Sequence, residues 1–470
     1  MAADRTEQMI YLTTETLMTR DKGFYKHLFI LMAPIVLQNI ISLSVSLSDN
    51  IMVGSLGEVA LSGVYVANQL QSILQMLVTG IGAALIVISA QYWGQQDVGS
   101  VRKITAIALK FALLIALVLT ALTFLFPEQI LSLFTSDRAV VRESLKYFSI
   151  IRFTYLFFCV TQVLVASMRC VENVRIGMLV SLLALFFNVT LNWLLIFGHC
   201  GLPAMGIRGS AVATLTARIA ETSAMLLYVK FGDRKLHLTL RAALRTDWLL
   251  ARDFFHYGFP VILGDILWGV NLAVQGAIVG RLGADAIASV SIANLMFSLI
   301  SVGVYGAASA SSIVIGKTVG AGDYAKVKEY AKTLQVLFVL LGLVTGVLLY
   351  AVKGFYITLL YPNLQPQTVK IANQFMIILS ITVVGTSYQM STLTGIVRAG
   401  GATHFVLIND FIFVWFVVIP SALLAAFVFH AAPWVVFACL KCDQILKCFV
   451  AVVKVNRYHW MRDLTHSGAA

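Results

Sequence analysis

A chain of 470 residues that is 59% hydrophobic and only 12% charged, with a mean hydropathy of +0.87, is not an ordinary soluble domain. Soluble domains carry roughly a quarter charged residues. The net charge of +12 invites a nucleic-acid reading, but the distribution of the bases along the chain argues for membrane topology instead.

Residues 1–27 form a polar N-terminal segment, and no cleavable signal is visible. Twelve apolar stretches follow, at about 28–53, 61–90, 104–126, 147–168, 176–197, 209–230, 254–279, 286–316, 333–352, 372–397, 405–429 and 433–453. Each reaches the roughly 20 residues that a helix needs to cross hydrocarbon. The fold class this predicts is an all-α integral membrane protein of twelve transmembrane helices. The 34 Lys and Arg set its orientation: 22 lie in the N-terminal segment, the loops after even-numbered stretches and the tail, against 7 in the opposite loops. That bias places both termini in the cytoplasm of a multi-pass protein of the plasma (inner) membrane. The six cysteines read as small packing residues. Cys159, Cys439, Cys442 and Cys448 sit in apolar runs, Cys170 on a basic loop, and only Cys200 at an outer loop.

The chain also matches itself. With a shift of 226 residues, Pro34 falls on Pro260 and Val53-Gly54-x-Leu56-Gly57 on Val279-Gly280-x-Leu282-Gly283. Ala67-Asn68 falls on Ala293-Asn294, Gly94 on Gly320 and Asp97 on Asp323. Over the 71 positions from 34 to 104 there are 18 identities, 8 of them between 53 and 68. Such a gapless match means two copies of one six-helix unit, an N-lobe (28–231) and a C-lobe (254–455), with a site between them. Six is even, so both copies enter the membrane in the same sense and a pseudo-two-fold axis runs along its normal. Residues 232–253 are a basic cytoplasmic linker, and 456–470 a cytoplasmic tail. In the linker Leu236, Leu240, Leu244 and Leu249 predict a short interfacial helix. Gly276-x-x-x-Gly280, Gly316-x-x-x-Gly320 and Gly342-x-x-x-Gly346 have the spacing of close helix contacts. The run Gly303 to Ser312 either packs tightly within its lobe or borders a wide cavity.

Charge inside a bilayer costs roughly 2.5–3.5 kcal/mol per residue on insertion scales, so each intramembrane acid needs a reason. Five acids lie in stretches (Asp49, Glu221, Asp265, Asp410 and Asp443), and so do five bases (Lys110, Arg152, Arg218, Lys441 and Lys447). Arg218 and Glu221, three apart on one helix, form a pair. Lys441, Asp443 and Lys447 pair with one another or snorkel. Asp49 has no base nearby in its own helix. Asn188 and Asn192, an i, i+4 pair on one face of stretch five, reach the same depth. A carboxylate with amide partners and no fixed counter-charge holds a proton or a sodium ion, so these three form the predicted cation-coupling site. Asp265 is the repeat mate of Asn39. Asp410 sits beside Asn409, and either pairs with Arg398 or His404 or serves a function. Trp268, Met296, Phe297, Tyr388, Met390 and Trp415 are candidates to line a cavity for flat lipophilic cations. Gln38, Asn39, Asn68, Gln69 and Asn294 complete that candidate substrate cavity.

The segment Ser48-Asp49-Asn50-Ile51-Met52-Val53-Gly54-Ser55-Leu56-Gly57, followed by Ala67-Asn68-Gln69, resembles the end of the first helix in the multidrug and toxic compound extrusion (MATE) family. Asn188-x-x-x-Asn192-Trp193-x-x-Ile196-Phe197-Gly198 is similar to the family's fifth-helix motif, and Val397-Arg398-Ala399-Gly400-Gly401 to its tenth-helix exit. The resemblance covers essentially the whole chain. It implies two six-helix bundles forming a V around a central cleft, and an antiporter that exports organic, mostly cationic compounds in exchange for H⁺ or Na⁺. Carried over by position, Asp49, Asn188 and Asn192 form the N-lobe ion site. The chain departs from the family in its second half. Some members carry acids late in helix seven and in helix ten, whereas here Trp268 holds the helix-seven position, and 372–397 contains no acid. Asp265, Asp410 and Asn409 are then the residues left for a C-lobe cation or substrate site.

The resulting expectation is a rocking-bundle efflux antiporter, working as a monomer in the lipid bilayer on small organic substrates, with no cofactor, no structural metal and no nucleic-acid partner. A lipid-linked precursor flippase is the alternative; it would line its cavity with fixed bases, for which only Arg152 and Arg218 are candidates. With no His-Glu-x-x-His pair, Gly-x-Ser-x-Gly elbow or P-loop, neither an enzyme nor an ATP-driven pump is supported.

Overall fold

The computed structural model describes residues 18–238, 247–360 and 365–465. Helix meets each of the twelve apolar stretches. The first half contains α1 (Lys22–Gly54), α2 (Glu58–Gly94), α3 (Val98–Leu125), α4 (Arg138–Ile151 and Thr154–Cys170), α5 (Arg175–Phe197) and α6 (Ile207–Leu227). The second contains α7 (Trp248–Gly280), α8 (Ala284–Ile300 and Val302–Gly320), α9 (Tyr324–Leu360), α10 (Pro366–Arg398), α11 (Thr403–Val428) and α12 (Pro433–Lys441 and Asp443–Asn456). Among the described residues nine helices are long and apolar enough to cross a bilayer outright, and α4 joins them if its two parts, bent by 54°, form one span. The exceptions carry charge or a break: α6 holds Arg208, Arg218 and Glu221, and α12 is interrupted at Cys442.

The duplicated motifs have local physical reasons. Gly57 and Gly283, repeat mates, stand at φ 109° and 110° at the starts of α2 and α8, a backbone region that side chains disfavour. Asp97 and Asp323, also mates, accept from the backbone N–H of Ser100 (3.0 Å) and Lys326 (3.2 Å) and so cap α3 and α9. Asp21, Asp137 and Asp247 cap α1, the first part of α4, and α7 in the same way.

In the first half α5 packs against α1 and α6; in the second α9 packs on α10 and α7 on α11. The halves meet where α2 crosses α7 and α8, and where α1 crosses α8. Small residues permit that approach. Gly80 faces Ile262, Gly258 faces Ala84, Gly306 faces Val36 and Gly316 faces Ala90. Nearest the ends where α1 begins and α12 finishes, called here the terminal face, the crossing is reciprocal. A Cβ on Gly94 would collide with Lys317 O, and one on Gly320 with Gln91 O. Toward the far face, Gly276 and Gly280 of α7 have open space around them.

Three sequence expectations change. Gly276-x-x-x-Gly280 marks no close helix contact, whereas Gly342 and Gly346 do, against Val384, Ser387 and Ser380 of α10. The Gly303–Ser312 run packs across the lobe boundary as well as within its lobe, since Gly306 meets Val36 while Gly303 meets Leu341. Cys170 is fully buried at the end of α4 rather than on a loop. The expected linker helix falls largely outside the described residues, which exclude Leu240 and Leu244.

Candidate cation site in the first lobe

Asp49 lies on the last turns of α1, near the far face, and points at α5. Its Oδ1 accepts a hydrogen bond from Asn192 Nδ2 at 2.5 Å, and the same nitrogen donates to Asn188 Oδ1 at 3.2 Å. The i, i+4 spacing on α5 makes this possible, because it puts both amides on one helical face. Asn188 Nδ2 continues the chain to Thr214 Oγ1 of α6 at 3.4 Å. Tyr147, buried on α4, directs its hydroxyl at both Thr214 and Asn68. So α1, α2, α4, α5 and α6 all contribute to one polar network inside an apolar bundle.

Its electrostatics are unbalanced. Among the described residues Asp49 has no ion pair. Arg218 lies within electrostatic reach, but its Nη1 is 2.6 Å from Glu221 Oε2 on its own helix, as the three-residue spacing predicts. Asn192 is fully buried, and among the described residues its Oδ1 has no hydrogen-bond partner. A carboxylate and an unused carbonyl oxygen therefore stand side by side. That donor set accepts a proton or a hard monovalent cation.

The second lobe is built differently. Gln275 occupies the repeat position of Asp49, and its Oε1 lies 3.4 Å from Lys441 Nζ. Asp265 Oδ1 is 3.6 Å from Arg398 Nη1, on the π-helical last turns of α10. Asp410 pairs with neither Arg398 nor His404. Its carboxylate lies 2.8 Å from Lys447 Nζ, which is also 3.2 Å from Asp443 Oδ2. Asp265 and Asp410 lie within electrostatic reach of each other, each with a base beside it. Asn409 is buried with its Nδ2 unpartnered among the described residues.

Three candidate cavity residues are taken up by packing within the bundles. Gln38 bridges α4 and α5, accepting from Arg169 Nη2 at 2.6 Å and donating to Ser181 Oγ at 3.2 Å. Met296 is buried in the apolar cluster of Phe375 and Phe437. Tyr388 is buried and donates to Gln335 Oε1 at 2.7 Å. Trp268 and Asn294 are exposed, and Asn39, Asn68 and Gln69 partly so. Trp268, Phe411, Trp415 and Asp410 line a shallow recess between α7 and α11. Tyr147 and Thr214 are the polar residues that sequence reading missed. Nothing in their spacing separates them from the other Tyr and Thr of the spans.

A family model described as MatE matches residues 34–194 and 260–424, once in each half. The chain is 25% identical over 403 residues to the probable multidrug resistance protein NorM of Thermotoga maritima, covering 84% of each. It is 26% identical over 453 residues to the multidrug resistance protein MdtK of Pectobacterium atrosepticum, covering 92% of this chain and 94% of the relative. Among solved structures, MATE in the bent conformation superposes with a TM-score of 0.83 at 16% identity, over 95% and 97% of the two chains. The eukaryotic MATE transporter AtDTX14 does so with a TM-score of 0.80 at 19% identity, over 94% and 97%. At such identities the structures share the fold alone.

Proposed function

The chain belongs to the MatE family, whose model fits both of its halves, and from that premise we propose a secondary multidrug exporter coupled through Asp49. Organic, mostly cationic compounds leave through the cleft in exchange for H⁺ or Na⁺. The surplus of Lys and Arg in the loops on the side of the termini supports an orientation with the terminal face in the cytoplasm. The close crossing of Gly94 and Gly320 at the terminal face fits a state in which that side is closed, so that Asp49, near the far face, takes its ion from outside. The transporter works as a monomer in the plasma membrane.

One observation carries the reading: among the described residues Asp49 is an intramembrane acid held by amides with no ion pair, whereas Asp265 is paired with Arg398, and Asp410 and Asp443 share Lys447. With no ion pair of its own among the described residues, Asp49 gains most directly from an exchangeable cation. When a proton binds, the neutral carboxyl has an O–H to donate, and Asn192 Oδ1 is the adjacent acceptor without a partner. Sodium would use the same oxygens. Either cation changes the hydrogen bonds between α1 and α5. Coupling requires that it bind the outward- and inward-open states with different affinity. The flippase alternative gains no support, because the two bases it needs are occupied. Arg152 lies 3.7 Å over the Phe124 ring and donates to Thr123 O, and Arg218 is bound to Glu221.

The test is dye efflux from vesicles with an imposed pH or Na⁺ gradient, each collapsed in turn. The gradient whose loss stops efflux names the coupling ion. Asp49→Asn should express, insert and lose gradient-driven efflux. Full efflux by that variant overturns the assignment.

A further inference from the structure

Beyond α12 the chain folds back onto the body of the protein. Trp460 is fully buried, its Nε1 donates to Val455 O at 2.8 Å, and its ring lies where a Cβ on Gly400 would collide with it. Arg462 N donates to Gly400 O at 2.8 Å. Gly401, at φ +101°, lets the backbone turn beneath Arg462 and Leu464. The Gly400-Gly401 pair leaving α10 is thus a socket for the chain's own tail.

From that socket the tail crosses to the other lobe. Gln91, fully buried on α2, grips its backbone with both ends of one amide: Oε1 accepts from Leu464 N at 2.8 Å, and Nε2 donates to Arg462 O at 3.2 Å. The same nitrogen lies 3.4 Å from Ala399 O, and Gln95, one turn on, donates to Thr465 Oγ1. A donor and an acceptor matched to backbone groups two residues apart imitate a strand pairing. This grip lies beside the reciprocal crossing of Gly94 and Gly320, where the lobes are closest.

We propose that residues 460–465 form a strap, anchored in the second lobe at Gly400-Gly401 and fastened to the first by Gln91, that holds the terminal face shut and must release Gln91 whenever that face opens. The contacts between the tail and α2 exist only while the lobes are together, so the strap favours that arrangement by differential interaction. The inference goes beyond the proposed function and rests on it only in taking the lobes to part at this face.

The test uses the full-length chain with its six cysteines replaced and Ala84→Cys added, a position buried against Gly258 at the lobe crossing. Reaction with a membrane-impermeant maleimide from the terminal face reports opening. Gln91→Leu removes both halves of the amide grip at nearly constant volume. It should speed labelling at least about five-fold, the effect of losing one or two net hydrogen bonds from the closed state. An unchanged rate overturns the strap. A second arm joins Gln95→Cys to Thr465→Cys with a short reducible bis-thiosulfonate. Efflux should stop on cross-linking and return with reductant, and cross-linked protein that exports at the reduced rate overturns the strap equally. If the protein without cross-links shows no gradient-driven efflux, the transport reading fails, and the labelling comparison alone decides the strap.

Discussion

Asn192 holds the Asp49 carboxylate with its amide nitrogen at 2.5 Å, while its own carbonyl oxygen has no partner among the described residues. The first contact suits the charged acid and the second suits the neutral one, so a single side chain serves both forms of the site. Asn192→Leu keeps the volume and removes both. A buried group that loses its partner costs about 1–3 kcal/mol, which is roughly ten-fold or more in the affinity for a coupling ion. Efflux by this variant should therefore need a steeper gradient, or fall at least about ten-fold at a fixed one. Vesicle dye transport as a function of the imposed gradient measures this, and a wild-type dependence would remove Asn192 from the site.

Across the lobe boundary Lys317 Nζ lies 2.8 and 2.9 Å from the two carboxylate oxygens of Glu172, which also bonds His27 at 3.0 Å. Burial pushes the Glu172 carboxyl up, but the hydrogen bonds from His27 and Lys317 hold it down at about 2. The sign follows from linkage. A depressed acid contributes fully above its unfolded value of roughly 4.3, and its contribution is lost as pH falls through the folded one. From about pH 5 upward this latch is therefore insensitive to pH through Glu172, and any pH dependence of transport in that range belongs elsewhere. Glu172→Gln should populate a wider terminal face at neutral pH, read as longer spin-label distances between α2 and α8. Distances identical to those of the unaltered protein would show that the latch does not hold the lobes.

The apolar helices and the duplication were legible because hydropathy and a fixed offset are one-dimensional signals. Asp49, Asn188 and Asn192 were legible for a related reason: a lone acid in an apolar run and two amides at i, i+4 are local patterns. Partner choice was not. Asp410 and Lys447 stand 37 residues apart and Asp265 and Arg398 stand 133 apart, so only the packing of α7, α10, α11 and α12 decides who pairs with whom. The breaks at Ser301 and Cys442 carry no Pro or Gly at the interruption itself. Trp460 lies past the last apolar run, where a buried aromatic has no periodicity to announce it. Gly400-Gly401 was the only local trace of its socket.

The crossing of Gly94 and Gly320 yields a steric prediction. A methyl at either position meets backbone of the opposite lobe, which cannot rotate away as a side chain could. Overpacking of this kind costs about 1–3 kcal/mol, and here the cost falls only on the state in which the terminal face is closed. Gly320→Ala should fold and insert, shift the lobes toward opening at that face, and lose most efflux. Limited proteolysis or thiol labelling from the terminal face should rise together with the loss of transport. Loss of efflux without any rise in accessibility would mean that the glycine serves packing within its own lobe.

Lys447 separates a structural from a coupling role in the second lobe. It is buried and shared by Asp410 at 2.8 Å and Asp443 at 3.2 Å. Lys447→Met leaves both acids inside the membrane without their base, and breaking a buried pair from one side costs about 3–5 kcal/mol. The variant should show a markedly lower melting temperature in detergent and poor yield. Adding Asp443→Asn should recover part of the loss, because the remaining acid, Asp410, is the more exposed of the two, with 42% of its side chain open against 4%. Asp410→Asn alone should keep gradient-driven efflux, in contrast to Asp49→Asn, since it removes a charge that a protein base already matches. If Asp410→Asn is stable yet uncoupled, the exchanged cation binds in the second lobe as well, and the division of labour between the halves has to be redrawn.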